Sequence, residues 1–289
     1  MELKNIRTFL RVAELGNFTK AAQELGYAQS TITTQIQQLE SELKCSLFDR
    51  NGKKVTLSAT GKEFMQYAYQ ILKYESMTLE HFSSSGEPDG TLSIGIMETI
   101  CASEYTYIFQ NFQKKYPQVS LKLQVVTTHQ ALDLLDKGIF DLIFLLDNNI
   151  SSPNRVTARE YPVEIFFFSS SSHPLASEKE VTLDRLLQER FILTEKGCNY
   201  RQVFESELAA RGKYLNCHAE IGYTPYIIQA VTAQQAIGLL PSITLKESLE
   251  KGIISRINVK NYQIHMFIQV IYSNKRRASL PLKAFLNEL

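Results

Sequence analysis

Excess charge of either sign is missing from this chain: 31 Lys and Arg stand against 30 Asp and Glu in 289 residues. The whole molecule therefore offers no electrostatic argument for nucleic acid or a membrane surface, and any basic footprint has to be local. Long apolar runs are missing too. The most apolar stretch, Ile139 to Leu146, is broken by Asp141 and falls far short of the roughly 20 residues that span a bilayer. Met1 to Gly16 carries Lys4, Arg7, Arg11 and Glu14 and has no uncharged core of the kind a signal peptide needs. The expectation is a cytoplasmic protein with no membrane partner. Cys45, Cys101, Cys198 and Cys217 form no Cys-X-X-Cys pair and the histidines are dispersed, which argues against zinc, other metals or a disulfide framework and for separate reduced thiols. No Gly-X-Ser-X-Gly, phosphate-loop, Gly-X-Gly-X-X-Gly or His-Glu-X-X-His arrangement is present, so neither an enzyme nor a cofactor is expected.

What is present is periodicity. Helical patterns run over Leu3 to Leu15, Thr19 to Leu25 and Gln29 to Leu43, joined by turns carrying Gly16-Asn17 and Gly26-Tyr27, a spacing that predicts a compact bundle. After Phe48, the polar tip Asp49 to Lys54 between short apolar ends predicts a small hairpin, the wing of a winged helix-turn-helix. Ser58 to Phe82 is helical again, with Phe64, Ala68, Ile71, Leu72, Leu79 and Phe82 on one stripe that calls for a partner. Ser83 to Asp89 has linker composition. Beyond it, β-type runs at Leu92 to Met97, Leu121 to Val126, Asp141 to Leu146, Val163 to Phe168, Phe191 to Leu193, His218 to Ile221, Ile237 to Leu240 and Phe267 to Tyr272 alternate with helical stretches. That alternation predicts an α/β architecture with mainly parallel sheets, in two similar subdomains.

In the third helix, Ile32, Ile36, Leu39 and Leu43 point one way, leaving Ser30, Thr34, Gln37 and Ser41 opposite, flanked by Gln29 and Thr33. Hydroxyl and amide side chains can donate and accept at base edges, and Gln can pair with adenine through two bonds. An ordinary solvated helix face would look the same. Local charge separates the two readings: from Met1 to Lys62 there are nine basic residues against six acidic. Arg50, Lys53 and Lys54 cluster at the wing, where phosphate contacts orient a protein without reading sequence.

The words Phe18-Thr19-Lys20-Ala21-Ala22-Gln23-Glu24-Leu25, Gln29 to Glu40, Leu47-Phe48-Asp49-Arg50 and Val55 to Gly61 together resemble the signature of LysR-type transcriptional regulators. Ala28 and Thr33 stand where that family often has Ser, Cys45 where it usually has Gly, and Ser58 where it usually has Thr. The resemblance implies a DNA-binding winged helix-turn-helix over residues 1–58, a linker and dimerisation helix with hinge over 59–90, and an effector-binding domain over 91–289. In that domain subdomain I covers about 91–162 and 268–289, and subdomain II about 163–267. It further implies a homodimer that assembles into a homotetramer on double-stranded promoter DNA, with RNA polymerase as a further partner. The DNA-contacting set is Gln29, Ser30, Thr31, Thr33, Thr34, Gln37, Arg50, Lys53 and Lys54.

Leu92-Ser93-Ile94-Gly95, Phe112 to Pro117, Gly138 to Ile143 and His173 to Ala176 are similar to words of LysR-type effector domains, which are built like periplasmic binding proteins around a ligand cleft. Crossing strands are expected near Tyr161 to Phe168 and Ile264 to Tyr272. Parallel α/β sheets bind ligands beyond the carboxyl ends of their strands, which selects Glu98, Thr99 and Ile100, Thr127 and Thr128, and Thr194 with Cys198; Tyr223 and Thr224 complete the set. The threonines would serve equally as helix caps. Cys198, with Lys196 and Arg201 near in sequence, offers either a redox switch or a small cleft-lining thiol. A solute-binding protein would explain the residues after Thr91 but leave Met1 to Phe82 without a purpose.

Overall fold

The computed structural model describes the chain apart from residues 52–53, 83–86, 149, 151 and 276–277, and apart from the side chains of Arg50, Asn51, Lys54, Glu80, His81 and Glu104. The chain divides into two compact units: the first comprises Met1–Glu87 and Lys137–Ile139, the second Pro88–Asp136 and Phe140–Leu289.

In the first unit, α1 (Leu3–Leu15), α2 (Phe18–Leu25) and α3 (Gln29–Leu43) are followed by a hairpin of β1 (Phe48–Asn51) and β2 (Lys54–Leu57), then α4 (Ala59–Phe82). Gly16 and Gly26 end α1 and α2 in the left-handed region, at φ 58° and 70°, where glycine escapes the Cβ clash. Asn17 caps α2 by accepting the Lys20 amide at 3.0 Å. Phe9 of α1 holds the pieces together: its ring meets Phe48 of the wing at 5.4 Å and Phe64 of α4 at 5.0 Å, pairs worth about 0.5–1.5 kcal/mol each beyond their burial. The wing's register is Phe48 opposite Leu57 through Asn51 opposite Lys54.

The α4 stripe divides in two. Phe64 and Ala68 are buried in the core of this unit, whereas Leu79 and Phe82 are 65% and 81% exposed. The stripe thus needs no outside partner at its start, because α1 covers it, whereas its C-terminal end is exposed to solvent.

The second unit has two lobes. The first carries β3 (Gly90–Ile96), α5 (Glu98–Cys101), α6 (Tyr107–Lys115), β4 (Val119–Val125), α7 (Thr128–Asp136) and β5 (Leu142–Asp147). A long strand, β6 (Arg155–Ser170), leads to the second lobe with α8 (Leu183–Leu186), β7 (Phe191–Leu193), α9 (Asn199–Ala210), β8 (Cys217–Glu220), α10 (Thr224–Gln234), β9 (Gly238–Pro241), α11 (Ser242–Glu250) and β10 (Ile254–Ile257). Strand β11 (Ile264–Ser273) returns, and α12 (Leu280–Glu288) closes the chain on the first lobe.

Strands run in the order β10-β6-β11-β5-β3-β4, with β9 also on β6. The crossings fall on β6 and β11, which pair antiparallel from Ile264 opposite Ile165 to Ser273 opposite Arg155. The sheet is mixed rather than mainly parallel: β3 runs parallel to β4 and β5, while β5, β9 and β10 meet the crossing strands antiparallel. The reason is topological. A chain that leaves a lobe along one strand and re-enters it along another must lay the two in opposite directions, and pattern alone does not reveal direction. Strand β10 was absent from the sequence reading because Ser255 and Arg256 interrupt its apolar ends. Each lobe has its own aromatic core, Phe109, Phe112, Phe144 and Phe285 in one and Phe167, Phe191, Phe204 and Tyr262 in the other.

Candidate DNA interface and effector cleft

On α3, Ile32, Ile36 and Leu39 are buried in the bundle, and Gln29, Ser30, Thr31, Thr34 and Gln37 are exposed, with Thr33 half-buried. The hydroxyls are less free than the sequence suggests. Thr33 and Thr34 donate to the carbonyls of Gln29 and Ser30, both at 3.0 Å, so in this state they offer a base only their lone pairs. Gln29 takes the Thr19 hydroxyl on its Oε1 at 3.0 Å and keeps its amide hydrogens. The Gln37 side chain makes no hydrogen bond among the described residues, which leaves both ends of its amide to read adenine. Buried Gln35 belongs to the scaffold instead, accepting the Thr8 hydroxyl at 2.6 Å.

The carboxylates of α3 are drawn away from this face. Glu40 accepts the Leu47 amide at 2.7 Å and so ties the helix to the wing, and Glu42 pairs with the terminal amine of Met1 at 2.7 Å. Sequence placed both residues only toward the far end of the helix; their contacts involve groups distant along the chain. Of the three wing cations, Arg50 and Lys54 fall in β1 and β2 with side chains outside the described residues, and Lys53 lies outside them altogether.

Part of the set predicted from the sequence lies at the seam between the lobes of the second unit. Glu98 opens α5 in the first lobe and Thr224 opens α10 in the second; the Glu98 carboxylate accepts the Thr224 amide at 3.0 Å and its hydroxyl at 2.5 Å. A second bridge comes from Asn199, whose Nδ2 donates to Thr128 Oγ1 at 2.9 Å, the Leu146 carbonyl at 2.9 Å and Asp147 Oδ2 at 2.8 Å. Thr99, Thr194 and Cys198 are buried. Burial pushes the Cys198 thiol up from its ordinary value, and the Tyr200 phenol well up.

Three members of the set are placed less favourably. Ile100 is fully buried in the core, Tyr223 is 60% exposed, and Thr127 is an exposed cap whose hydroxyl and amide bond Gln130. Sequence reasoning passed over Asn199, Asp147 and Tyr200. Asp147 is the last residue of β5 and could have been found by the strand-end rule, whereas the reach of Asn199 across the seam has no local signal.

Comparison with known proteins agrees with this two-part architecture. Residues 3–62 match the bacterial regulatory helix-turn-helix protein, lysR family, and residues 85–289 match the LysR substrate binding domain. The chain belongs to the LysR family of transcriptional regulators, which are not enzymes. It is 35% identical over 288 residues to the HTH-type transcriptional regulator YwqM of Bacillus subtilis, covering 99% of this chain and 98% of that one. Among solved structures, a full-length OxyR variant from Pseudomonas aeruginosa shares the fold at TM-score 0.74 and 18% identity, covering 100% of this chain and 94% of the other. Full-length CbnR, crystallised with its target DNA, does so at TM-score 0.72 and 19% identity, covering 100% and 98%. No helix among the described residues is long and apolar enough to cross a membrane.

Proposed function

We propose that this regulator, acting in the cytoplasm, places two copies of α3 in successive major grooves of a promoter, at half-sites about one helical turn apart. A second dimer extends the contact to a tetramer and bends the intervening DNA, and RNA polymerase is the downstream partner. The observation that carries the reading is the face of Ser30, Thr34 and Gln37, exposed and uncharged, with the nearby carboxylates of Glu40 and Glu42 engaged elsewhere. An acidic group at that place would meet phosphate repulsion.

A small-molecule effector binds the lobe seam, with no metal or cofactor required. It alters promoter activity because it has different affinity for the two arrangements of the oligomer; equal affinity would switch nothing. The cross-seam bonds of Glu98 and Asn199 are what such a ligand would reorganise.

A gel shift tests the DNA reading. Full-length protein should retain the intergenic fragment upstream of its own gene in preference to unrelated duplex, with affinity falling steeply as salt rises. Failure to hold any duplex at low ionic strength would remove the reading.

A further inference from the structure

Two polar residues are buried where α1 meets α3. Thr8 is 1% exposed and Gln35 6%, and the Thr8 hydroxyl donates to Gln35 Oε1 at 2.6 Å. One turn away on each helix, Asn5 is also 1% exposed and donates through Nδ2 to Gln38 Oε1 at 3.4 Å. Residues three apart share a helix face, so Asn5 and Thr8 on α1 meet Gln38 and Gln35 on α3 as two matched contacts in antiparallel order. The surrounding core of Ile6, Phe9, Ile32, Ile36 and Leu39 is fully buried and apolar.

Stability does not account for these choices. Gln and Asn are seldom buried, because exchanging water for a protein partner gains little and an unmatched polar atom costs more than that. Asn5 has a long bond on its nitrogen, and its Oδ1 is buried with no hydrogen-bond partner among the described residues. Apolar side chains of similar volume at positions 8 and 35 would fill the same space without desolvating a hydroxyl and an amide.

What the polar pair adds is direction. An apolar core loses its uniqueness of arrangement before it loses stability, whereas a hydrogen bond weakens steeply away from its preferred distance and angle. The reading face is sensitive to that difference. A Gln37 side chain reaching roughly 5–6 Å from the helix axis moves by about 2 Å when α3 turns by about 20°, enough to break a two-bond contact with adenine. Gln35 and Gln38, the two anchored residues, bracket Gln37 in the chain.

We propose that Thr8 and Gln35 are positioning residues for operator recognition: their hydrogen bond, assisted by Asn5 and Gln38, sets the rotation of α3 at which Gln37 meets its base. The proposal rests on α3 being the helix that reads bases. Thr8 and Gln35 are buried and act only through that helix.

The test compares the affinity of the full-length protein for the intergenic fragment upstream of its gene with its affinity for unrelated duplex at the same ionic strength. In the double variant Thr8→Val, Gln35→Met the ratio of the two should fall about tenfold, through the upstream fragment alone. Its melting, followed by circular dichroism, should stay at or above that of the parent. Thr8→Ser keeps the hydroxyl and should keep the ratio. A double variant that melts like the parent and keeps its ratio would overturn the proposal. So would one that melts more than about 5 °C lower, since the bond would then serve stability, and so would a Thr8→Ser ratio as low as that of the double variant. Gln37→Ala separates the proposal from the reading beneath it. If Gln37→Ala keeps its ratio, base reading by this face and the positioning role fall together; if it loses the ratio while the double variant keeps it, only the positioning role falls.

Discussion

Residues of one chemical type do different work here according to what the fold gives them as partners. Gln35 and Gln37 lie two apart on one helix, yet one is buried on Thr8 and the other is exposed and unengaged; helical periodicity separates them from sequence alone. Cys198 shows the opposite case. Its neighbours Lys196 and Arg201 suggested an activated thiol, but Arg201 turns to Glu205 and Glu220, and the residue is 9% exposed. Burial raises its pKa above the ordinary 9.0, so at neutral pH the protonated, unreactive form dominates. Iodoacetamide should therefore label Cys198 slowly in the native protein, as read by mass spectrometry of its peptide. Peroxide should leave DNA binding unchanged; a peroxide response that disappears in Cys198→Ser would contradict this and restore the redox reading. The contact between Asn199 and Asp147 was illegible for a different reason: the end of β5 points to Asp147, but its meeting with Asn199 depends on how two lobes close, which no local pattern encodes.

At the scale of elements, the helices of the first unit were readable to within a residue because each has an apolar stripe and a turn at its end, Gly16, Gly26 or the left-handed Lys44 at φ 54°. The wing was readable from its polar tip. What the stripe on α4 could not show was its division between a buried start and an exposed end. The start is fixed by a dense joint: Ser58 Oγ donates to the Ser46 carbonyl at 2.6 Å and accepts the Gly61 amide at 2.9 Å. A Cβ on Gly61 would sit 2.0 Å from the Leu47 carbonyl oxygen, a backbone atom that cannot swing aside. Gly61→Ala should therefore destabilise the first unit by about 3 kcal/mol, seen as an earlier urea transition that is accompanied by loss of DNA binding. An unchanged midpoint would mean that the joint yields without cost. In the second unit, strand positions were legible and strand directions were not, and this is why the mixed sheet was missed.

For the molecule as a whole, near-neutral charge conceals an unequal distribution: nine basic against six acidic residues up to Lys62. The two units also differ in what their polar residues do. In the first, Ser30, Thr34 and Gln37 of α3 stay exposed for an outside partner; in the second, polar side chains at the lobe seam turn inward and bond across it. This is the division expected of a regulator that reads DNA with one part and senses a metabolite with the other, coupled by a difference in ligand affinity between two states.

Equilibrium binding of Gln37→Ala to its operator and to an unrelated duplex at the same ionic strength tests the central claim most directly. Operator affinity should fall by about 1–3 kcal/mol, roughly fivefold to 150-fold, while affinity for the unrelated duplex stays as it was. Equal loss on both duplexes, or no loss on either, would contradict base reading by this face of α3.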